Sequence, residues 1–115
     1  MSILGDIKEG VGVDESNDSF DNEIVMAINT IFSKLRQAGI GPDAGFEIRD
    51  NTATWDDFIQ DSRANMVRTY ILLQTKMLFD PPTSSTILKL YEEQANELLW
   101  RMNTLEEVEK KDDGS

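Results

Sequence analysis

Three pairs of adjacent carboxylates, Asp56–Asp57, Glu92–Glu93 and Glu106–Glu107, are the residues of this chain best suited by type to acid–base work or to holding a cation. Neighbours on a helix point about 100° apart and do not converge on one point. A working pair needs carboxylates brought together from different elements, and helical-bundle metal sites of this kind also use a histidine in each Glu-x-x-His motif. The chain contains no histidine and no cysteine. Histidine-based metal sites, Ser–His–Asp chemistry, thiol nucleophiles and disulfides are therefore excluded. The carboxylate pairs read as solvated faces and helix caps, so no catalytic residue, metal site or cofactor is expected.

A calcium loop was tested on Asp14-Glu15-Ser16-Asn17-Asp18-Ser19. Asp14, Ser16 and Asp18 take the first, third and fifth positions. However, Ser19 stands where the loop requires glycine, and Val25 where it requires the bidentate glutamate. Capping of the following helix by Asp18 or Ser19 is the better account. Gly39, Gly41 and Gly45 lack the Lys-Ser/Thr of a phosphate loop. Trp55 and Trp100 could stack on a ligand, but beside helical hydrophobics they read as core or oligomer contacts. Met26, Met66, Met77 and Met102 read as packing.

The elements that would position these residues are mostly helices. Phe20, Ile24, Ile28, Ile31 and Leu35 recur at three- and four-residue steps, which predicts a helix over about 20–38. Asp21 and Glu23 in its first turn and Lys34 and Arg36 in its last suit the helix dipole. Gly39 is placed to end it and Pro42 to prevent its resumption. Residues before Phe20 offer one or two helical turns built on Ile3, Leu4 and Ile7. Phe46 and Ile48 alternate with Glu47 and Arg49, so residues 42–54 form either a long loop or a short β-hairpin closed by Thr52-Ala53-Thr54. Thr54-Trp55-Asp56-Asp57 resembles a capping box opening a short helix, and Asp61-Ser62 offers a second helix start. Met66, Val67, Tyr70, Ile71, Leu73, Met77 and Leu78 make a stripe too wide for a solvent-facing helix, which predicts a central one. Asp80 before Pro81-Pro82 stops it. The last helix, about 85–103, has candidate caps in Thr83-Ser84-Ser85 and a face of Ile87, Tyr91, Ala95, Leu98 and Met102. The expected fold is a mainly α small helical bundle of three to four main helices. Residues 1–104 form its single domain and 105–115 an acidic, disordered tail.

The net charge is −11, from 22 acidic and 11 basic residues. Such a surface repels phosphate backbones, and the basic residues are scattered, so direct nucleic-acid binding is not expected. The N-terminal residues lack a signal-peptide pattern, and no stretch approaches the roughly 20 apolar residues of a membrane span.

In succession, several segments resemble the head–tail connector (adaptor) proteins of tailed bacteriophages. They are Asp21-Asn22-Glu23-Ile24 through Asn29, Leu35 to Pro42, Gly45-Phe46-Glu47-Ile48, Thr54-Trp55-Asp56-Asp57-Phe58 and Val67-Arg68-Thr69-Tyr70-Ile71. The most telling is Leu78-Phe79-Asp80-Pro81-Pro82-Thr83-Ser84-Ser85, followed by Glu97 to Asn103. Together they span about residues 20–103. The resemblance implies a non-enzymatic virion neck protein, assembled in the bacterial host cytoplasm. It implies a homo-oligomeric ring, a dodecamer in the virion, docked beneath the portal protein and offering an attachment surface to stopper (head-completion) or tail proteins. DNA would pass through the channel without specific binding, repelled by acidic side chains, and no membrane is involved. On this reading Phe46, Ile48 and Trp55 are candidate subunit contacts, and Trp100, Arg101 and Leu105 candidate portal-docking residues. The apolar ones among them read equally well as monomer core. The competing reading is a small acidic phage or host regulatory protein acting by protein–protein binding.

Overall fold

The computed structural model describes residues 2–42, 45–60 and 63–113, with side chains as far as Thr104. Among the described residues five helices follow one another: α1 (Ile3–Gly10), α2 (Asp21–Gln37), α3 (Trp55–Phe58), α4 (Ala64–Phe79) and α5 (Ser85–Asp113). They lie in a slab of 49 × 35 × 20 Å. As the breadth of its apolar stripe predicts, α4 is central: α1, α2, α3 and α5 all pack on it.

The termini of the helices show why the chain turns where it does. Ser2 caps α1, its Oγ accepting from the Gly5 N–H at 3.0 Å. The α2 C-terminus closes through two bonds, Ile40 N–H to the Leu35 carbonyl and Gly39 N–H to the Arg36 carbonyl. Gly39 takes φ +81°, the left-handed conformation this closure needs, and Ile40 is driven into the core. At the start of α3 the Asp57 carboxylate accepts from the Thr54 N–H at 2.8 Å, as the sequence predicts. The α4 helix stops at Asp80, whose backbone is extended before Pro81. Ser84 then caps α5 through its carbonyl and hydroxyl oxygens, which accept from Leu88 and Ile87.

Two local expectations are corrected. Neither Asp18 nor Ser19 caps α2. Phe20 occupies the cap position without a side-chain bond, and the Ser19 N–H bonds the Asn17 side chain instead. Among the described residues there is no strand, so residues 45–54 take the loop form and not the hairpin. Thr54 forms an isolated antiparallel bridge with Ser2, and the Ala53 carbonyl accepts from Ile3 at 2.9 Å. The expected helix start at Asp61-Ser62 lies outside the described residues.

The core is built of Ile and Phe from four helices and the loop. Ile3, Ile7, Ile24, Ile28, Ile31, Phe32, Leu35, Val67 and Ile71 are fully or almost fully buried. The segment before Phe20, readable only as one or two turns, contributes Ile3, Leu4, Ile7 and Val11 to that core. A helix of two turns has no stability of its own, so α1 exists because it is packed. Gly10 permits this packing, because a Cβ there would lie 2.3 Å from a Leu72 methyl on α4.

Candidate assembly surface

The side chains with chemical potential are engaged in holding elements together. Asp6 on α1 is 8% exposed and receives three hydrogen bonds. Trp55 Nε1 donates to Oδ2 at 2.9 Å, Arg68 Nη2 to Oδ1 at 2.8 Å, and Arg68 Nε to Oδ2. One carboxylate thus joins α1, α3 and α4. Arg68 holds the Asp6 carboxyl below its ordinary range; burial pushes the other way, and Trp55 adds a further downward pull. Lys8, also on α1, is buried; its Nζ lies 2.8 Å from Asp21 Oδ1 and donates to the Glu15 carbonyl at 2.9 Å. Asn29 on α2 brackets one residue of the loop. Its Nδ2 donates to the Ile48 carbonyl at 2.9 Å, and its Oδ1 accepts from the Ile48 N–H at 2.8 Å. A side-chain amide here replaces the strand partner that a hairpin would have supplied.

None of these clusters resembles a reaction centre. Among the described residues no group of three carboxylates converges on a possible metal position. Glu92 and Glu93 are exposed, and Asp57 is occupied at the α3 cap. Asp14 accepts from the Ser16 N–H and hydroxyl, which lowers its carboxyl and closes a turn inside its own loop. The described helices also include none long and apolar enough to cross a membrane.

The six residues singled out from the sequence fall into two groups. Ile48 is buried at 2% exposure, under the Asn29 bracket. Phe46 stacks edge-on with Phe32 and Phe58, ring centroids 5.0 and 5.2 Å away. Trp55 is half-buried on Asp6. All three shape the loop 45–54 from within. The loop's outer side is polar: Glu47, Arg49, Asp50, Asn51 and Thr52 are exposed. Trp100 and Arg101, by contrast, stand on the surface of α5, Trp100 67% exposed and Arg101 paired with Glu97 at 2.7 Å. The Leu105 side chain lies outside the described residues.

Two parallel stripes run along α5. Leu88, Tyr91, Ala95, Leu98 and Met102 recur at three- and four-residue steps and form the inward face, with Ala95 and Met102 fully buried. Beside it runs Ile87, Leu90, Gln94, Glu97 and Arg101 at the same spacing, facing outward. Ile87 and Leu90 are exposed, as is Leu78 at the end of α4. A shallow hollow of about 280 Å³ follows the α4–α5 seam, lined by Thr69, Leu73, Gln94, Glu97, Leu98 and Arg101. These exposed large apolar side chains beside an open seam are the apolar surface that the end of α4 and the described part of α5 leave uncovered. Met26, expected in packing, is also exposed on α2.

Sequence reasoning did not single out Asp6 or Arg68, because partners 49 and 62 residues apart leave no local signal, nor Lys8, whose partners lie across the turn before α2. Asn29 did carry one, a polar residue set against Ile28 and Phe32 within an apolar stripe. A family model described as phage connector protein matches the chain over residues 3–109. No curated protein and no solved structure matches it.

Proposed function

The chain belongs to the phage connector protein family, and on that premise we propose that it is a ring-forming subunit of the virion neck, docked under the portal and presenting a surface to stopper or tail proteins. The family assignment supports a structural, non-enzymatic virion role joining head and tail. The observation that carries the finer reading is the outer face of α5, where Ile87, Leu90 and Trp100 are exposed on a helix whose inner face is already satisfied by α4. A partner that covered these side chains would bury apolar area now in water.

In this arrangement α5, with Trp100, Arg101 and the segment from Leu105 onward, meets the portal. The loop 45–54 meets the neighbouring copy. Phe46, Ile48 and Trp55 act there by fixing the loop's shape, while Glu47, Arg49 and Asn51 form its outer contacts. Residues 1–104 form the connector domain, and 105–115 are its acidic tail, into which α5 continues as far as Asp113. The net charge of −11 per copy repels DNA from the channel wall, an effect that moderate salt screens.

The test is electron microscopy of the purified protein mixed with the portal protein encoded beside it. Rings seated on the portal are expected with the unaltered chain. A Leu90→Ser/Trp100→Ala double variant that keeps its helical circular dichroism should fail to seat. Unimpaired seating of that variant would refute the role given to α5, and absence of any portal complex would refute the connector reading.

A further inference from the structure

We propose that α1 is a releasable strap: a two-turn helix latched to the α2–α4–α5 frame through the Asp6 carboxylate, able to undock while the frame stays folded.

The geometry divides the molecule in this way. The most extensive helix contacts are α4 with α5 and α2 with α4, and neither includes α1. On its C-terminal side α1 joins the frame through the stretch before α2, which turns at Gly12 (φ +84°) and continues through the exposed residues 14–20. A helix of 8 residues cannot persist once detached, so docking and helix formation are one event. Elements of this kind open locally at a lower free energy than the body they rest on.

Its attachments are few and identifiable. Asp6 gathers Arg68 of α4 and Trp55 of α3. Lys8 reaches Asp21 of α2 and the Glu15 carbonyl. Ile3 bonds the Ala53 carbonyl. The charged groups facing this joint are Arg68, which is also drawn by Glu9 of α1, the chain's amino terminus acting on Asp6, and the Lys8–Asp21 pair. Arg68 is half-exposed, so on release its guanidinium passes to water with little penalty. Asp6 likewise gains solvent. The latch therefore separates without leaving a buried charge behind, which distinguishes it from a core ion pair. The apolar faces of Ile3, Leu4 and Ile7 supply the opposing pull that keeps the strap closed at neutral pH.

Amide hydrogen exchange at pH 7, read separately on α1, α2 and α4, tests this. Asp6→Asn removes the charge and keeps the shape. The expected result is a loss of protection in α1 of about tenfold or more, with α2 and α4 unchanged. In a Trp100→Phe background Trp55 is the single indole, and its emission should shift to the red as α1 opens. Trp55→Phe, which removes one of the three bonds and retains an aromatic ring, should give a smaller loss confined to α1. Unchanged α1 protection in Asp6→Asn would overturn the latch. Equal loss across α1, α2 and α4 in both variants, including global unfolding, would overturn the strap.

Discussion

The two sides of α4 are built on different terms. On one side, α1, α2 and the 45–54 loop bury most of the apolar residues they carry, Met26 excepted, and close several polar groups on named partners. Asp6 takes Trp55 and Arg68, Lys8 takes Asp21, and Asn29 takes both polar atoms of the Ile48 peptide. On the other side, α5 buries Ala95 and Met102 completely but leaves Ile87, Leu90 and Trp100 in water. The first side is stabilised within one chain. The second has apolar area to spare, and for a family of virion connectors that asymmetry separates folding from assembly. A subunit can fold within one chain and still keep the exposed side of α5 available.

The comparison can be broken by substitution, and the largest effect belongs to the packed side. Phe32 is 2% exposed and touches both Phe46 and Phe58. Phe32→Ala should cost about 3–5 kcal/mol in denaturant unfolding, enough to leave a small domain largely unfolded. Acid acts on the same side. Because the folded pKa of Asp6 is lowered, its contribution is present above the unfolded value of about 4 and is lost as the pH falls through the folded value. Asp6→Asn should therefore flatten the acid limb of a stability–pH curve and leave its shape near neutrality unchanged.

Asn29→Ala leaves the N–H and carbonyl of buried Ile48 without their partners. It should destabilise by about 1–3 kcal/mol, and Asn29→Asp, which can accept but not donate, should recover only part. Gly41 has φ +95°, and a Cβ there would lie 2.5 Å from the Phe58 ring. Gly41→Ala should cost about 1–2 kcal/mol from backbone strain, with the ring displacement added to it. At the far end of the scale, Leu90→Ser and Trp100→Ala should each change monomer stability by under about 0.5 kcal/mol. A large destabilisation from either would mean that Leu90 and Trp100 are themselves core residues, and the contrast between the two sides would collapse.

Which parts were legible beforehand follows from the range of the forces involved. The α2 stripe, the Gly39 stop, the Asp57 cap and the Asp80–Pro81 break are each set by residues within a turn or two of one another. They occur where the sequence predicts. The breadth of the apolar set in α4 likewise marks the helix that others would surround. The absence of histidine and cysteine closes off whole classes of chemistry by composition alone. Residues 42–54 carry an alternating pattern that fits either a strand or a loop with two anchors, and nothing local distinguishes them.

Tertiary structure made the remaining decisions. Asn29 chose the loop by supplying a bracket from 19 residues away. Residues 2–10 gained a helix and a place in the core because α2 and α4 offered a seam that Gly10 could approach closely. Asp6 became a three-way joint only when α3 and α4 met beside it. Of two tryptophans alike in sequence, the fold made one a hydrogen-bond donor to a buried carboxylate and left the other on the surface. Local pattern is a matter of spacing along the chain, whereas burial and partnership depend on which faces remain uncovered after the helices have packed.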